Sequence, residues 1–190
     1  WDTALNSISD AIDLAVISGN KTKIFIKGGY YNNLKSVCSV GGAKSLTNDV
    51  ALIANYGRVL CGNFVDVTWV KTSGYSFVYE CDESGVLNIA NPLLNGNNNL
   101  KRVSSISECD NTPNSFYTDN ITTYAHHINS TECNNKNTLV FLAGYNNAWF
   151  SGNNDLYING IDFIGGINGA IRIDGGTDNV IVFDDCSFKC

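Results

Sequence analysis

The stretch Leu156-Tyr157-Ile158-Asn159-Gly160-Ile161-Asp162-Phe163 returns 25 residues later as Ile181-Val182-Phe183-Asp184-Asp185-Cys186-Ser187-Phe188. In both copies a short β-prone run is ended by a two-residue turn (Asn159-Gly160, Asp184-Asp185) and then resumes. A second series, Asn146-Asn147-Ala148-Trp149 against Asn168-Gly169-Ala170-Ile171, aligns at 22 residues. Two interleaved series with near-equal periods are what successive coils of a solenoid produce, because each coil sets the same strand above its predecessor. Ile158 is then expected over Phe183, Ile161 over Cys186 and Phe163 over Phe188, each pair filling one column of a continuous core.

Outward from this repeat, residues 138–190 read as regular coils. At the other end, Leu5, Ile8, Ala11, Ile12, Ala15 and Val16 fall at helical spacing behind Asp2 or Thr3 as caps and before Gly19, which predicts a capping helix over 4–18. Lys23-Ile24-Phe25-Ile26-Lys27 follows as a strand stopped at Gly28-Gly29. Short β-prone runs separated by Gly and Asn fill the middle, and 104–137 reads as a long excursion carrying Cys109, Cys133, Pro113 and the adjacent His126-His127. The whole of 1–190 is expected to be one all-β solenoid domain with an N-terminal capping α-helix. It is also expected to be part of a longer chain, since Met is absent and Cys190 falls in a coil that should continue.

Ile24-Phe25-Ile26-Lys27-Gly28-Gly29-Tyr30 resembles the opening strand of pectate-lyase-like right-handed β-helices, and the helix before it resembles their capping helix. Ser115-Phe116-Tyr117-Thr118-Asp119-Asn120-Ile121-Thr122-Thr123-Tyr124 is similar to a segment that precedes the regular coils in that superfamily. Asn168-Gly169-Ala170-Ile171, with Val180 through Phe188, resembles coils of β-helical surface proteins and adhesins. The resemblance implies a right-handed parallel β-helix. It says little about activity, because the superfamily includes lyases, hydrolases, phage tailspikes, adhesins and structural proteins.

Composition narrows the functional classes. A net charge of -6, with 12 Lys and Arg that form no basic stripe, argues against nucleic acid. No apolar run approaches the length of a membrane span. Seven cysteines (Cys38, Cys61, Cys81, Cys109, Cys133, Cys186 and Cys190) without a CxxC pair speak for disulfides in an oxidising compartment rather than zinc. The pairs to test first are Cys38 with Cys61, Cys109 with Cys133 and Cys186 with Cys190. The odd count leaves a free thiol, an intermolecular bridge or a partner beyond this segment. Sequons at Asn20, Asn120 and Asn129 fit the same extracellular or cell-surface location.

Chemistry-bearing residues are sparse. Arg172, Asp174, Asp184, Asp185 and Lys189 are the one charged group that stacking would bring to a shared outer face, as an acid and base pair for glycoside cleavage or as ligands of Ca²⁺. The turn reading of Asp184-Asp185, and of Asp174 before Gly175-Gly176, outweighs catalysis. Strand neighbours face opposite ways, so His126 and His127 cannot chelate one ion together, and they read as an exposed or half-packed pair. No cofactor is implied, and the case for Ca²⁺ rests on these carboxylates alone. Aromatics such as Tyr157 and Trp149 could include a sugar-stacking platform but serve equally as packing residues. The expectation is a secreted, non-catalytic structural or adhesive surface protein that self-associates into a filament or coat and contacts neighbouring chains or carbohydrate. The alternatives are a polysaccharide lyase or hydrolase and a tailspike-like receptor-binding domain.

Overall fold

The computed structural model describes residues 4–32, 43–62, 64–93, 99–142, 148–164, 171–175 and 178–189. Helix α1 (Ile8–Ser18) leads into β1 (Thr22–Tyr31), β2 (Lys44–Ser45) and β3 (Val50–Gly62). The middle of the chain gives β4 (Phe64–Val65), β5 (Val70–Lys71), β6 (Tyr79–Cys81), β7 (Val86–Ala90), β8 (Lys101–Arg102), α2 (Ile106–Asn111), β9 (Ser115–Thr118), β10 (Thr123–His126) and β11 (Leu139–Leu142). The last part gives β12 (Ala148–Gly152), β13 (Leu156–Asn159), β14 (Ile161–Ile164), β15 (Ile171–Gly175), β16 (Ile181–Asp184) and β17 (Ser187–Lys189). These elements form two compact units, one of Trp1–Asn63 with Gly144–Cys190 and one of Phe64–Ala143.

Every strand pair in the first unit is parallel. β1 lies along β3, β13 and β14 lie along the two halves of β3, and β16 and β17 lie on β13 and β14. The register stacks Leu52 under Ile158 and Ile158 under Phe183, and likewise Cys61, Phe163 and Phe188. The 25-residue spacing is therefore the spacing between paired strands. Leu52, Ile158, Ile161 and Phe163 are wholly buried, and each such side chain contributes about 1.5–3 kcal/mol of hydrophobic stabilisation. A smaller parallel sheet runs β15-β12-β2. Here Ala148 pairs with Ile171 and Trp149 with Arg172, an offset of 23 rather than 22. One residue of slip exchanges the two faces of a strand, so the observed register keeps Ala148 inside and sets Trp149 against Arg172.

α1 begins at Ile8 because Ser7 is its cap, accepting the Asp10 N–H at 3.2 Å; the proposed caps Asp2 and Thr3 lie outside the described residues. Gly19, at φ 66, ends the helix. Ile8, Ile12 and Ala15 then pack into the same core as Ile26 and Leu46. The two halves of the large sheet meet at a corner where successive strands turn through left-handed backbone: Tyr56 at φ 60, Gly160 at φ 72 and Asp185 at φ 49. A Cβ on Gly160 would come within 2.8 Å of the Ala54 Cβ, so both the dihedral and the close approach call for glycine.

The expectation of a single right-handed parallel β-helix over 1–190 is not met. Several small separate sheets of mixed orientation are present, and Phe64–Ala143 is a compact unit of its own. In that unit β5, β6, β10 and β9 pair antiparallel, as do β4, β11 and β7, and among the described residues only β8 with β9 is parallel. The reason is physical: short alternating runs between Gly and Asn turns look alike whichever way their partners run. The unit has its own apolar clusters, around Ile89, Phe116 and Val140 and around Val78, Val103 and Cys109.

Ile158 has buried neighbours on its tier and an aromatic above it, so Ile158→Ala should cost about 2–5 kcal/mol. Phe183→Ala, at a 37% exposed position of the same column, should cost clearly less. Guanidinium unfolding of the two variants measures the difference.

Candidate functional site

The charged residues singled out from the sequence do not converge on one site. On the smaller parallel sheet, Arg172 donates to Asp174 from Nε at 3.1 Å, and its Nη2 lies 2.9 Å from the same carboxylate. The Arg172 guanidinium also sits 4.5 Å from the centre of the Trp149 ring, whose Nε1 donates to Asp174 at 2.9 Å. The hydrogen bond from Arg172, followed by that from Trp149, holds the Asp174 carboxyl below its usual range. Asp174 belongs to strand β15 and pairs with Ser151, so it is not a turn residue.

Asp184 ends strand β16 of the larger sheet, so it is not a turn residue, whereas Asp185 follows in the turn; both are committed elsewhere. The Tyr157 hydroxyl donates to Asp184 at 2.7 Å and Asn159 Nδ2 donates to it at 3.0 Å, and Asp184 in return raises the Tyr157 pKa. Asp185, at the left-handed corner, pairs with Arg58 Nη1 at 2.7 Å. Arg58 also binds Asp162 through Nε, at 3.2 Å, and through Nη2, while the Ser187 hydroxyl donates to Asp162 at 2.5 Å. One guanidinium thus joins β3, β14 and the turn between β16 and β17, and its partners, Asp162 first, raise its pKa further. The sequence pattern does not reveal Arg58, because its partners lie 104 and 127 residues away. The Lys189 side chain lies outside the described residues.

A groove of about 350 Å³ opens on the outer face of the same sheet. Ala51 forms part of its lining, with Lys23, Tyr157 and Val182 from neighbouring strands in the same register column. At its polar wall Lys21 pairs with Asp49 at 2.7 Å, Asp49 accepts the Asp155 N–H at 3.0 Å, and Asp155 accepts the Val180 N–H at 2.8 Å. The lysine holds Asp49 below the ordinary carboxylate range. Both carboxylates are already bonded, and the groove offers an aromatic ring and a lysine rather than an acid and base pair.

The histidine pair is buried, contrary to the exposed reading. His126 bonds the Cys109 carbonyl through Nδ1 and the Ser130 hydroxyl through Nε2, each at 2.9 Å. His127 bonds Asn91 through Nε2 and the Thr131 hydroxyl through Nδ1, also at 2.9 Å. All four ring nitrogens are occupied, and no group of three or more potential metal ligands occurs among the described residues.

Cys81, Cys109, Cys133 and Cys186 carry thiols in this structure, and Cys61 is buried in the parallel core. Cys38 and Cys190 lie outside the described residues. Burial is the first cause that pushes the Cys81 thiol up to about 12 and Cys133 up to about 11, so neither is an activated nucleophile. The sequon residues Asn20, Asn120 and Asn129 are all exposed. No helix among the described residues is long and apolar enough to cross a membrane.

Burial, then His126, lowers the His127 pKa below its usual 6.5. The unfolded chain therefore takes up the proton first, and stability present above about pH 6.5 is lost as pH falls toward the folded value. Between pH 7 and 5.5 the denaturation midpoint of this unit should drop, and His127→Gln should flatten that slope; parallel slopes would contradict the assignment. No family model, no curated protein and no solved structure matches the chain.

Proposed function

We propose that the chain is a structural or adhesive surface protein whose parallel unit is non-catalytic and associates with another chain through the edge formed by β16 and β17. The observation that carries this reading is the state of the last tier. Phe183 is 37% and Phe188 47% exposed, although the residues beneath them in the same columns, Ile158 and Phe163, are wholly buried. Val180 and Val182 on that tier are exposed as well. Among the described residues β16 pairs only with β13 and β17 only with β14, so their outer backbone groups fit a further strand, whether of this chain or of another.

The other limit of the core differs. There α1 buries Ile8, Ile12 and Ala15 beside Ile26 and Leu46 and covers the first strands. With one limit covered by a helix, the open edge fits a second open edge better than the far side of another copy. The favoured assembly is a two-fold pair, which closes on itself. The charged outer residues support a structural role too, since Arg58 is spent on a carboxylate of a neighbouring strand and Arg172 on one of its own strand. Exposed sequons support an extracellular setting, where glycans would keep the remaining surface soluble.

Light scattering during size-exclusion chromatography tests this directly. The protein should run as a pair at micromolar concentration, and Phe183→Lys with Phe188→Lys should return it to a folded monomer. A wild-type protein that stays monomeric at every concentration would overturn the assembly reading.

The outer groove favours a second, compatible reading, in which the adhesive contact is to carbohydrate. Tyr157 is pinned by Asp184, so its ring is a fixed platform of the kind on which the C–H face of a pyranose packs. Binding to a panel of immobilised neutral glycans should fall at least tenfold in Tyr157→Ala and in Ala51→Leu, which fills the groove. Equal binding by all three proteins, or none by the parent, would remove this reading.

A further inference from the structure

The unit Phe64–Ala143 holds an arrangement that the assembly reading does not use, and its chemistry is independent of the strand edge. Ser130 is exposed, with its Oγ 2.9 Å from Nε2 of His126, a side chain only 1% exposed. The other ring nitrogen, Nδ1, lies 2.9 Å from the Cys109 carbonyl oxygen. A carbonyl only accepts, so Nδ1 carries the proton of the neutral ring and Nε2 presents its lone pair. The Ser130 hydroxyl must then be the donor to Nε2, and its oxygen lone pairs are left facing solvent. Phe77 stacks on the imidazole with 5.2 Å between centres and 13° between planes, fixing the ring as the carbonyl fixes its tautomer.

The backbone adds a second feature. Ser130 sits at φ 53, an uncommon conformation for a residue other than glycine, at the end of a turn closed by its N–H to the His127 carbonyl at 2.8 Å. Such outliers cluster where side chains are presented for function. The next backbone N–H, that of Thr131, has no hydrogen-bond partner among the described residues, although the Thr131 hydroxyl is held by His127. Nucleophile, base, orienting group and a free amide on the following residue are the parts that serine acyl transfer uses.

We propose that Ser130 and His126 form a nucleophile and general-base pair that cleaves small, unhindered carboxylic esters. Ser130 Oγ bonds to the ester carbonyl carbon while its proton passes to His126 Nε2, and the Thr131 N–H meets the developing oxyanion. Collapse breaks the bond to the alcohol oxygen, which leaves with the proton from Nε2. Water then attacks the acyl-serine, giving its proton to Nε2; on collapse Ser130 recovers that proton and the carboxylic acid departs. The turn is open to solvent, so the substrate class is one that needs no deep pocket, such as acetyl esters presented on a surface.

A fluorophosphonate probe, which phosphonylates an activated serine and expels fluoride, tests the pair. The intact folded protein should gain one label, located on Ser130 by peptide mass mapping, and should hydrolyse 4-nitrophenyl acetate with a burst. Ser130→Ala, at an exposed position, should abolish both, and His126→Gln should lower the labelling rate at least about 100-fold, the smaller end of what a positioned base contributes. Circular dichroism of each variant establishes that it is folded. Labelling of Ser130 no faster than of another exposed serine such as Ser84, or unaffected by His126→Gln in a folded variant, would overturn the proposal and leave Ser130 as a turn residue that satisfies a buried histidine. Neither result bears on whether the protein associates through its strand edge.

Discussion

Register between parallel strands is the constraint on which the first unit depends. Once Leu52, Ile158 and Phe183 share a column, and Cys61, Phe163 and Phe188 share another, the remaining features result from keeping those columns aligned. The strands must bend at one place in each tier, and the bend needs left-handed backbone at Gly160 and Asp185. Side chains on the outer face are carried along in the same register. That is why Arg58 meets carboxylates from a later strand and from a later turn, Tyr157 meets Asp184, and Trp149 meets Arg172 and Asp174. A slip of one residue would turn the apolar columns outward and separate these partners together.

The same stacking explains why the carboxylates of this unit are already paired. Carboxylates that could serve as acids or bases are held by nearby cations or by hydroxyl and N–H donors, and the shifts at Asp49 and Asp174 run downward, away from a proton donor at neutral pH. What remains uncommitted is apolar and aromatic: the groove beside Tyr157 and the phenylalanines of the last tier. The separate unit, Phe64–Ala143, is organised differently. Its polar interior is built from turn residues that satisfy two buried histidines, and one of those contacts gives the serine–histidine geometry.

Much of the parallel arrangement was legible because two tiers follow one another in the chain with no insertion, so Ile158 and Phe183 could be aligned by inspection. The β3 tier was not. Its pairing of Val50 with Leu156 spans the whole second unit, and a long insertion hides a repeat that is intact in space. Strand direction in the second unit was illegible for another reason, since alternation reports which face is buried and not how the partner runs. Of the site residues, the carboxylates were visible but their partners were not: Arg58 stands alone in sequence, and only folding brings Asp162 and Asp185 to it. The histidines were misjudged because polarity suggests exposure, whereas local turn residues, Ser130 and Thr131, supply the hydrogen bonds that burial requires.

Hydrogen–deuterium exchange measured strand by strand across a range of protein concentrations tests the central claim, that an ordered parallel stack presents one open edge to another chain. β13 and β14, paired on both sides, should be slow to exchange at every concentration. β16 and β17 should be fast in dilute protein and become protected as concentration rises, because a second chain then takes their free backbone groups. Exchange in β16 and β17 that does not change with concentration, or β13 and β14 exchanging as fast as they do, would contradict the account.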